Sequence, residues 1–191
     1  MRIAREVIEK HVRREPLAEF QATETFQKKS GVFVTIETYP KKDLRGCIGF
    51  PEPHFKLINA IKSAAKSAAT EDPRFPPVSP KELDKIVIEV SLLTNPELIK
   101  VNSPKDYIKQ VVIGRDGLII ERGFSRGLLL PQVPIEWKWD AEEFLAQICY
   151  KAGLPPDTWL EPATKLYRFT AEIFAEEKPR GEIVPHKLTD K

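Results

Sequence analysis

Two apolar runs separated by a short turn constrain this chain most. Gly31-Val-Phe-Val-Thr-Ile-Glu-Thr38 is dense in β-branched residues, and Leu44-Arg-Gly-Cys-Ile-Gly-Phe50 is short, apolar and glycine-bearing. Such runs read as strands. The turn chemistry of Pro40-Lys-Lys-Asp43 between them is too brief for a crossover, so the two close as an antiparallel hairpin. Pro51 and Pro53 stop the second strand, and a helix follows over 54–69. Ile58, Ile61, Ala65, Ala68 and Ala69 form its apolar stripe, and their small size permits close packing on a sheet.

The rest of the chain continues in the same manner. Ile3, Val7, Ile8 and Val12 recur at helical spacing until Pro16. Residues 17–30 read as a connection or a second short helix. Thr70 to Pro77 is irregular, because Pro73, Pro76 and Pro77 forbid a helix. Residues 85–94 are a strand, with Ile86, Ile88, Val90 and Leu92 on one face and Val87, Glu89, Ser91 and Leu93 on the other. Residues 95–110 are a linker and a short helix from Ser103. Three short strands are expected at 111–114, 117–122 and 127–131, the first two joined through Arg115-Asp116-Gly117. Asp140 caps a helix over 140–152, with Glu143 closing a capping box and Gly153 at the C′ position. Residues 165–176 alternate as one long strand, and the tail after Lys178 reads as loose.

Composition removes several function classes. Lys and Arg number 30 against 28 Asp and Glu, a net charge of +2, so no dense cationic face is available to displace the counterions of a nucleic acid. No apolar run approaches the roughly 20 residues that span a bilayer, and the amphipathic N-terminus has no secretory core. The chain is therefore expected in the cytoplasm, off the membrane. Two cysteines are too few for a disulfide framework, and with three histidines they form no metal-ligand spacing. Neither GxxxxGK[ST] nor GxGxxG occurs, so no cofactor and no metal are expected. Seventeen prolines and one Met, with many Lys and Glu, suit a thermophile, as they also suit ordinary variation.

Chemistry concentrates around Leu44–Phe50. On an ideal strand Arg45, Cys47 and Gly49 share a face, while Leu44, Gly46, Ile48 and Phe50 share the other. An arginine beside a cysteine favours thiolate, and flanking glycines let another chain or a ligand approach closely. The alternative is a small buried cysteine next to a surface arginine. Glu89 and Ser91 interrupt an apolar strand, and a buried carboxylate there calls for a partner such as Arg45 or Arg74. Asp72-Pro-Arg-Phe75 pairs acid and base in a stiff turn, as a cleft wall or a rigid connector. Gly123-Phe-Ser-Arg-Gly127 matches the G-x-S-x-G nucleophile elbow. That motif works only between a strand and a helix of a hydrolase sheet, and here a strand follows. Cys149 lies on the buried stripe of its helix. Arg126-Gly127 echoes Arg45-Gly46, each after a hairpin turn and ahead of a proline and a helix.

The pieces GVFVTIET, LRGCIGF, SAATEDPRFPPV, ELDKIVIEVSLLT, IGRDGLII, GLLLPQV and EFLAQICYKAGL occur in order through residues 31–154. In these the chain resembles the AMMECR domain family, named for the Alport-syndrome, mental-retardation, midface-hypoplasia and elliptocytosis chromosomal region. The resemblance implies an α+β fold of two unequal lobes, each an antiparallel sheet packed with helices, with a cleft between them near LRGCIG. It implies a larger lobe from 1–102 with 161–191, and an inserted smaller lobe over 103–160 with its own three-stranded sheet. The family has no established biochemical activity. Its members also occur joined to, or encoded near, Memo-type and radical-SAM proteins. Two functions from different classes follow. One is a binding module that holds a peptide, protein segment or other sizeable ligand around Leu44, Gly46, Ile48, Gly49, Asp72, Arg74, Glu89 and Ser91. The other is an enzyme with Cys47 as nucleophile or redox thiol, assisted by Arg45. The oligomeric state stays open.

Overall fold

Helices and two antiparallel sheets build the chain as an α+β protein. The computed structural model describes residues 1–20 and 23–185. In chain order the elements are α1 (Arg2–Arg13), α2 (Glu24–Gln27), β1 (Gly31–Thr38), β2 (Leu44–Phe50), α3 (Leu57–Thr70), β3 (Ile86–Leu93), β4 (Glu97–Leu98) and α4 (Tyr107–Gln110). They continue with β5 (Gly117–Arg122), β6 (Ser125–Leu129), α5 (Val133–Glu136), α6 (Ala141–Lys151), β7 (Lys165–Phe169), β8 (Ala171–Glu176) and β9 (Ile183–Pro185). The chain divides into two compact units, one of residues 1–93 with 172–185, the other of residues 94–171.

The first unit holds a five-stranded sheet in the order β2-β1-β3-β8-β9, with β1 antiparallel to both β2 and β3. One face of this sheet is covered by α1 and α3. Val32, Val34 and Ile36 of β1 and Ile86, Ile88 and Val90 of β3 meet Ala4, Val7 and Ile8 of α1 and the alanine-rich stripe of α3. All five stripe positions expected of α3 are buried. Their small side chains let the helix backbone come close to β2, and that closeness shapes the site described below.

In the second unit the sheet order is β4-β7-β5-β6. Leu118 and Ile120 of β5 and Leu166 of β7 pack against Phe144, Leu145, Ile148 and Cys149 of α6. The N-cap of α6 is as expected, since Asp140 Oδ1 accepts from the Glu143 amide at 2.9 Å. The reciprocal half of the capping box does not form, because Glu143 Oε1 accepts from Gln147 Nε2 at 2.6 Å. Gly153 takes the left-handed conformation (φ +71°) that ends the helix.

Three further expectations change. Residues 111–114 are not a strand. Asp116 is fully buried, and its carboxylate accepts from the Val112 amide at 2.9 Å while Arg115 pairs with it, so this stretch coils around one carboxylate. The sheet expected to hold three strands within 103–160 has four, and is completed by β4 and β7 from outside that span. The long strand over 165–176 breaks at Thr170, whose N–H donates to Thr94 Oγ1 at 2.9 Å and whose carbonyl accepts from the Thr94 amide at 3.0 Å. That exchange places β7 in one sheet and β8 in the other. The expected loose tail contains β9, and Arg180 before it pairs with Glu9 and Asp84. His186 lies outside the described residues.

Candidate functional site

The β2 strand is an edge strand, and its two glycines are dictated by close approach. A Cβ on Gly46 would stand 2.2 Å from the carbonyl oxygen of Ala68 in α3. On Gly49 it would stand 2.3 Å from the ring of Phe33. The close neighbour at Gly46 is thus this protein's own helix backbone. Gly46 and Ile48 face α3, and Ile48 packs against the core on that side.

The pairing register assembles the opposite face. Cys47 stands opposite Thr35, and Thr35 opposite Glu89; one row along, Gly49 faces Phe33, and Phe33 faces Ser91. Thr35 Oγ1 donates to Cys47 Sγ at 3.3 Å. Ser91 is buried, and Glu89 is half-buried. The register shifts between Ile36 and Glu37, which leaves Arg45 unpaired as a β-bulge. The ideal alternation therefore fails at its first step. Leu44 stands opposite Glu37, beyond the bulge, and is exposed.

Arg45 does not point its charge at the thiol. Its Nε donates to Glu82 Oε1 at 2.8 Å, its Nη1 to the Pro76 carbonyl at 2.9 Å and its Nη2 to the Pro77 carbonyl at 3.4 Å. It fastens the proline-rich loop to the strand. Glu82 is held in turn by the Ser79 amide and hydroxyl at 2.7 and 2.8 Å.

The residues that do reach Cys47 are Asp72 and Arg74, and they take its main chain. Asp72 Oδ2 accepts from the Cys47 amide at 2.8 Å, and Arg74 Nη2 donates to the Cys47 carbonyl at 3.3 Å. Because these groups face the loop, Cys47 and Thr35 form a non-hydrogen-bonded pair of the ladder. Asp72 and Arg74 thereby cap an otherwise open sheet edge. They are joined to each other by Arg74 Nε on Asp72 Oδ1 at 3.0 Å and Arg74 Nη2 on Asp72 Oδ2 at 2.7 Å, a bidentate pair. The Asp72 carboxylate is buried, whereas the Arg74 side chain is 54% exposed. Hydrogen bonds from Arg74 hold the Asp72 carboxyl well below the usual carboxylate range, helped by the Cys47 amide.

Burial pushes the Cys47 thiol up. The Thr35 hydroxyl and the Arg74 charge pull the other way, and the negative charges of Asp72 and Glu89 add to the rise. His54 is exposed and pairs with Glu52. Among the described residues, no cluster of three or more His, Cys, Asp or Glu could hold a metal ion.

Three further residues complete the site. Thr35 contacts the thiol, Phe33 covers Gly49, and the Phe75 ring is close to two guanidiniums, 6.0 Å from Arg45 Cζ and 5.5 Å from Arg74 Cζ. The Gly123–Gly127 motif lies elsewhere, in the second unit. Gly123 and Phe124 turn the β5–β6 hairpin, and Ser125 opens a strand instead of a helix. No nucleophile elbow forms.

A family model describes the chain over residues 1–174 as AMMECR1. The chain belongs to the AMMECR1 family. Among its relatives, Protein MJ0810 of Methanocaldococcus jannaschii is 59% identical, covering 98% of this chain and 94% of the relative. Protein TK0174 of Thermococcus kodakarensis is 55% identical, over 96% of this chain and 91% of that one. The crystal structure of the uncharacterised protein PH0010 from Pyrococcus horikoshii has the same fold. It matches with a TM-score of 0.88 and 51% identity, covering 97% of this chain and 94% of that chain. Among the described residues, no helix is long and apolar enough to cross a membrane.

Proposed function

We propose that this AMMECR1-family chain is a binding module, and that it holds a peptide or protein segment against the face formed by β2, β1 and the loop from Asp72 to Pro77. We place it in the cytoplasm of a thermophile. The observation that carries the reading is the double clamp of Asp72 and Arg74 on the Cys47 peptide group. It makes the strand edge rigid while leaving a cation and an aromatic ring at the surface. A preformed surface with fixed polar groups binds without the entropy cost of ordering them.

The enzyme reading is weaker on the same geometry. Nucleophilic catalysis needs a thiolate or a base beside the thiol. Here burial raises the thiol, and Arg45 is engaged by Glu82 and two carbonyls. Display of random dodecapeptides on the immobilised full chain, with alkylation of Cys47 by N-ethylmaleimide as readout, tests the proposal. Recovered peptides at saturation are expected to slow Cys47 alkylation at least tenfold. Peptides that bind yet leave that rate unchanged would overturn this placement of the site. A Cys47 that titrates below the ordinary range of about 8.5 would restore the enzyme.

A further inference from the structure

We infer that the segment received by this face carries a carboxylate, taken up by Arg74 with Arg45 beside it. The inference rests on the peptide-binding reading above and adds the chemistry of the ligand.

It follows from which hydrogen-bonding groups of the site are still open. Asp72 has none. Oδ1 accepts from the Arg74 amide and Nε, and Oδ2 accepts from the Cys47 amide and Arg74 Nη2, which fills both oxygens. Glu82 receives Arg45 Nε on one oxygen and the Ser79 amide and hydroxyl on the other. The Pro76 and Pro77 carbonyls receive Arg45. A guanidinium carries five N–H donors in a fixed fork. Arg74 engages its Nε and Nη2, so the described residues leave both N–H groups of Nη1 unengaged. Each Nη of Arg45 keeps one.

The carboxylates of Asp72 and Glu82 are thus engaged, while guanidinium N–H donors remain. A ligand that meets those donors must bring acceptors. The geometry sharpens the demand. Arg74 is fixed in plane by a bidentate carboxylate and by the Cys47 carbonyl, so its free edge is aimed before any ligand arrives. The Phe75 ring stands close to both guanidiniums, 6.0 Å from one and 5.5 Å from the other, and offers apolar contact beside two charge points. An acidic side chain on an extended segment matches that arrangement in charge and in hydrogen-bond sense.

The test uses the same dodecapeptide selection on the full chain, read for composition and followed by fluorescence anisotropy. The recovered peptides should be enriched in Asp and Glu. Exchanging the key acid of one such peptide for its amide should weaken binding to the unaltered protein at least tenfold. The same exchange should change binding less than twofold once the protein carries Arg74→Gln, because the two losses are one interaction. Raising NaCl from 50 to 500 mM should weaken the acidic peptide and spare the amide. The unaltered protein carries the acid-to-amide arm, so a fold defect in Arg74→Gln cannot mask the answer, and Phe75→Leu offers a second variant that keeps both arginines. Neutral peptides that protect Cys47 would overturn the carboxylate and keep the binding reading. Peptides that leave Cys47 unprotected would end both. Free acetate or inorganic phosphate competing at micromolar concentration would move the assignment from a peptide to a small anion and overturn it as stated.

Discussion

Two edge strands of this protein share a local plan and finish it differently. Both β2 and β6 lie at the rim of a sheet, and both carry Arg-Gly, Arg45-Gly46 and Arg126-Gly127. In each, a helix backbone rests on the glycine. The Cβ that Gly46 lacks would meet Ala68 O at 2.2 Å, and the one Gly127 lacks would meet Ala152 N at 2.8 Å. The sequence echo therefore has a common physical cause, the seating of a helix directly on a strand. Beyond that the two part. Along β2 a loop returns, caps the Cys47 peptide group with Asp72 and Arg74, and is fastened by Arg45. At the tip leading into β6, Phe124 is fully exposed. Close packing on glycine is thus common to both strands, whereas the capping loop lies on β2, and the capped strand carries the proposed site.

The glycines should produce the largest effects, and unequal ones. Gly46→Ala forces a methyl into a main-chain carbonyl that cannot swing away, and is expected to cost about 3 kcal/mol in the first unit. Gly127→Ala meets a looser contact and should cost about 1–2 kcal/mol in the second. All three tryptophans, Trp137, Trp139 and Trp159, belong to the second unit, so the two units can be followed separately. Far-UV circular dichroism should show the Gly46→Ala transition roughly 12–15 °C lower, with the tryptophan fluorescence transition left near its original midpoint. Gly127→Ala should move the fluorescence transition. Equal movement of both signals by either variant would mean that the two units unfold as one, and would erase the distinction between the two seats.

Asp72→Asn addresses the cap, which β2 has and, among the described residues, β6 lacks. The amide cannot serve Cys47 and Arg74 as the carboxylate does, and about 2 kcal/mol should be lost at neutral pH. Solvent around the exposed Arg74 screens its charge and keeps the loss modest. The pH dependence has a definite sign. The folded Asp72 carboxyl titrates below its unfolded value, so its contribution is complete above about pH 4. It is lost as pH falls through that value toward the folded one. Urea melts at pH 7, 5 and 3 should therefore show the two proteins well apart at the first two and measurably closer at the third. A gap that persists unchanged at pH 3 would refute the charged clamp as its source.

What could be read in advance was whatever repeats. The α3 stripe, the β1–β2 hairpin and the Asp140 cap follow from periodicity and local chemistry, and each forms. The misses occur where a single side chain overrides a pattern. Alternation runs unbroken through Thr170, so nothing in the 165–176 run signals a break there; the break comes from Thr94, distant in sequence. Val111 to Gly114 reads as a strand until the buried Asp116 carboxylate draws it into a coil. At the site, Asp72, Arg74 and Cys47 were each visible as unusual residues. Their relation was not, because the clamp acts on the main chain of Cys47, and side-chain chemistry alone pointed at the thiol. Thr35 and Phe33 were hidden for another reason. Their positions opposite Cys47 and Gly49 depend on a register offset by one residue at Arg45, which no run of residue types announces.

The two arginines give the smallest and most specific contrast. Arg45 has a side chain only 12% exposed, joined to one carboxylate and two carbonyls from a loop remote in sequence. Arg126 is 43% exposed and pairs with Glu121, which stands directly opposite it in the hairpin. Long-range fastening of a loop and a local surface pair are different in kind, although both are arginine–glutamate contacts. Arg45→Ala should therefore cost about 1–2 kcal/mol and speed proteolysis within residues 72–82. Arg126→Ala should stay within about 0.5 kcal/mol and leave that loop as resistant as before. Limited digestion followed by mass spectrometry reads both at once. Equal cleavage of the loop in the two variants would show that Arg45 does not hold it, and the distinction between the capped and the uncapped strand would lose its anchor.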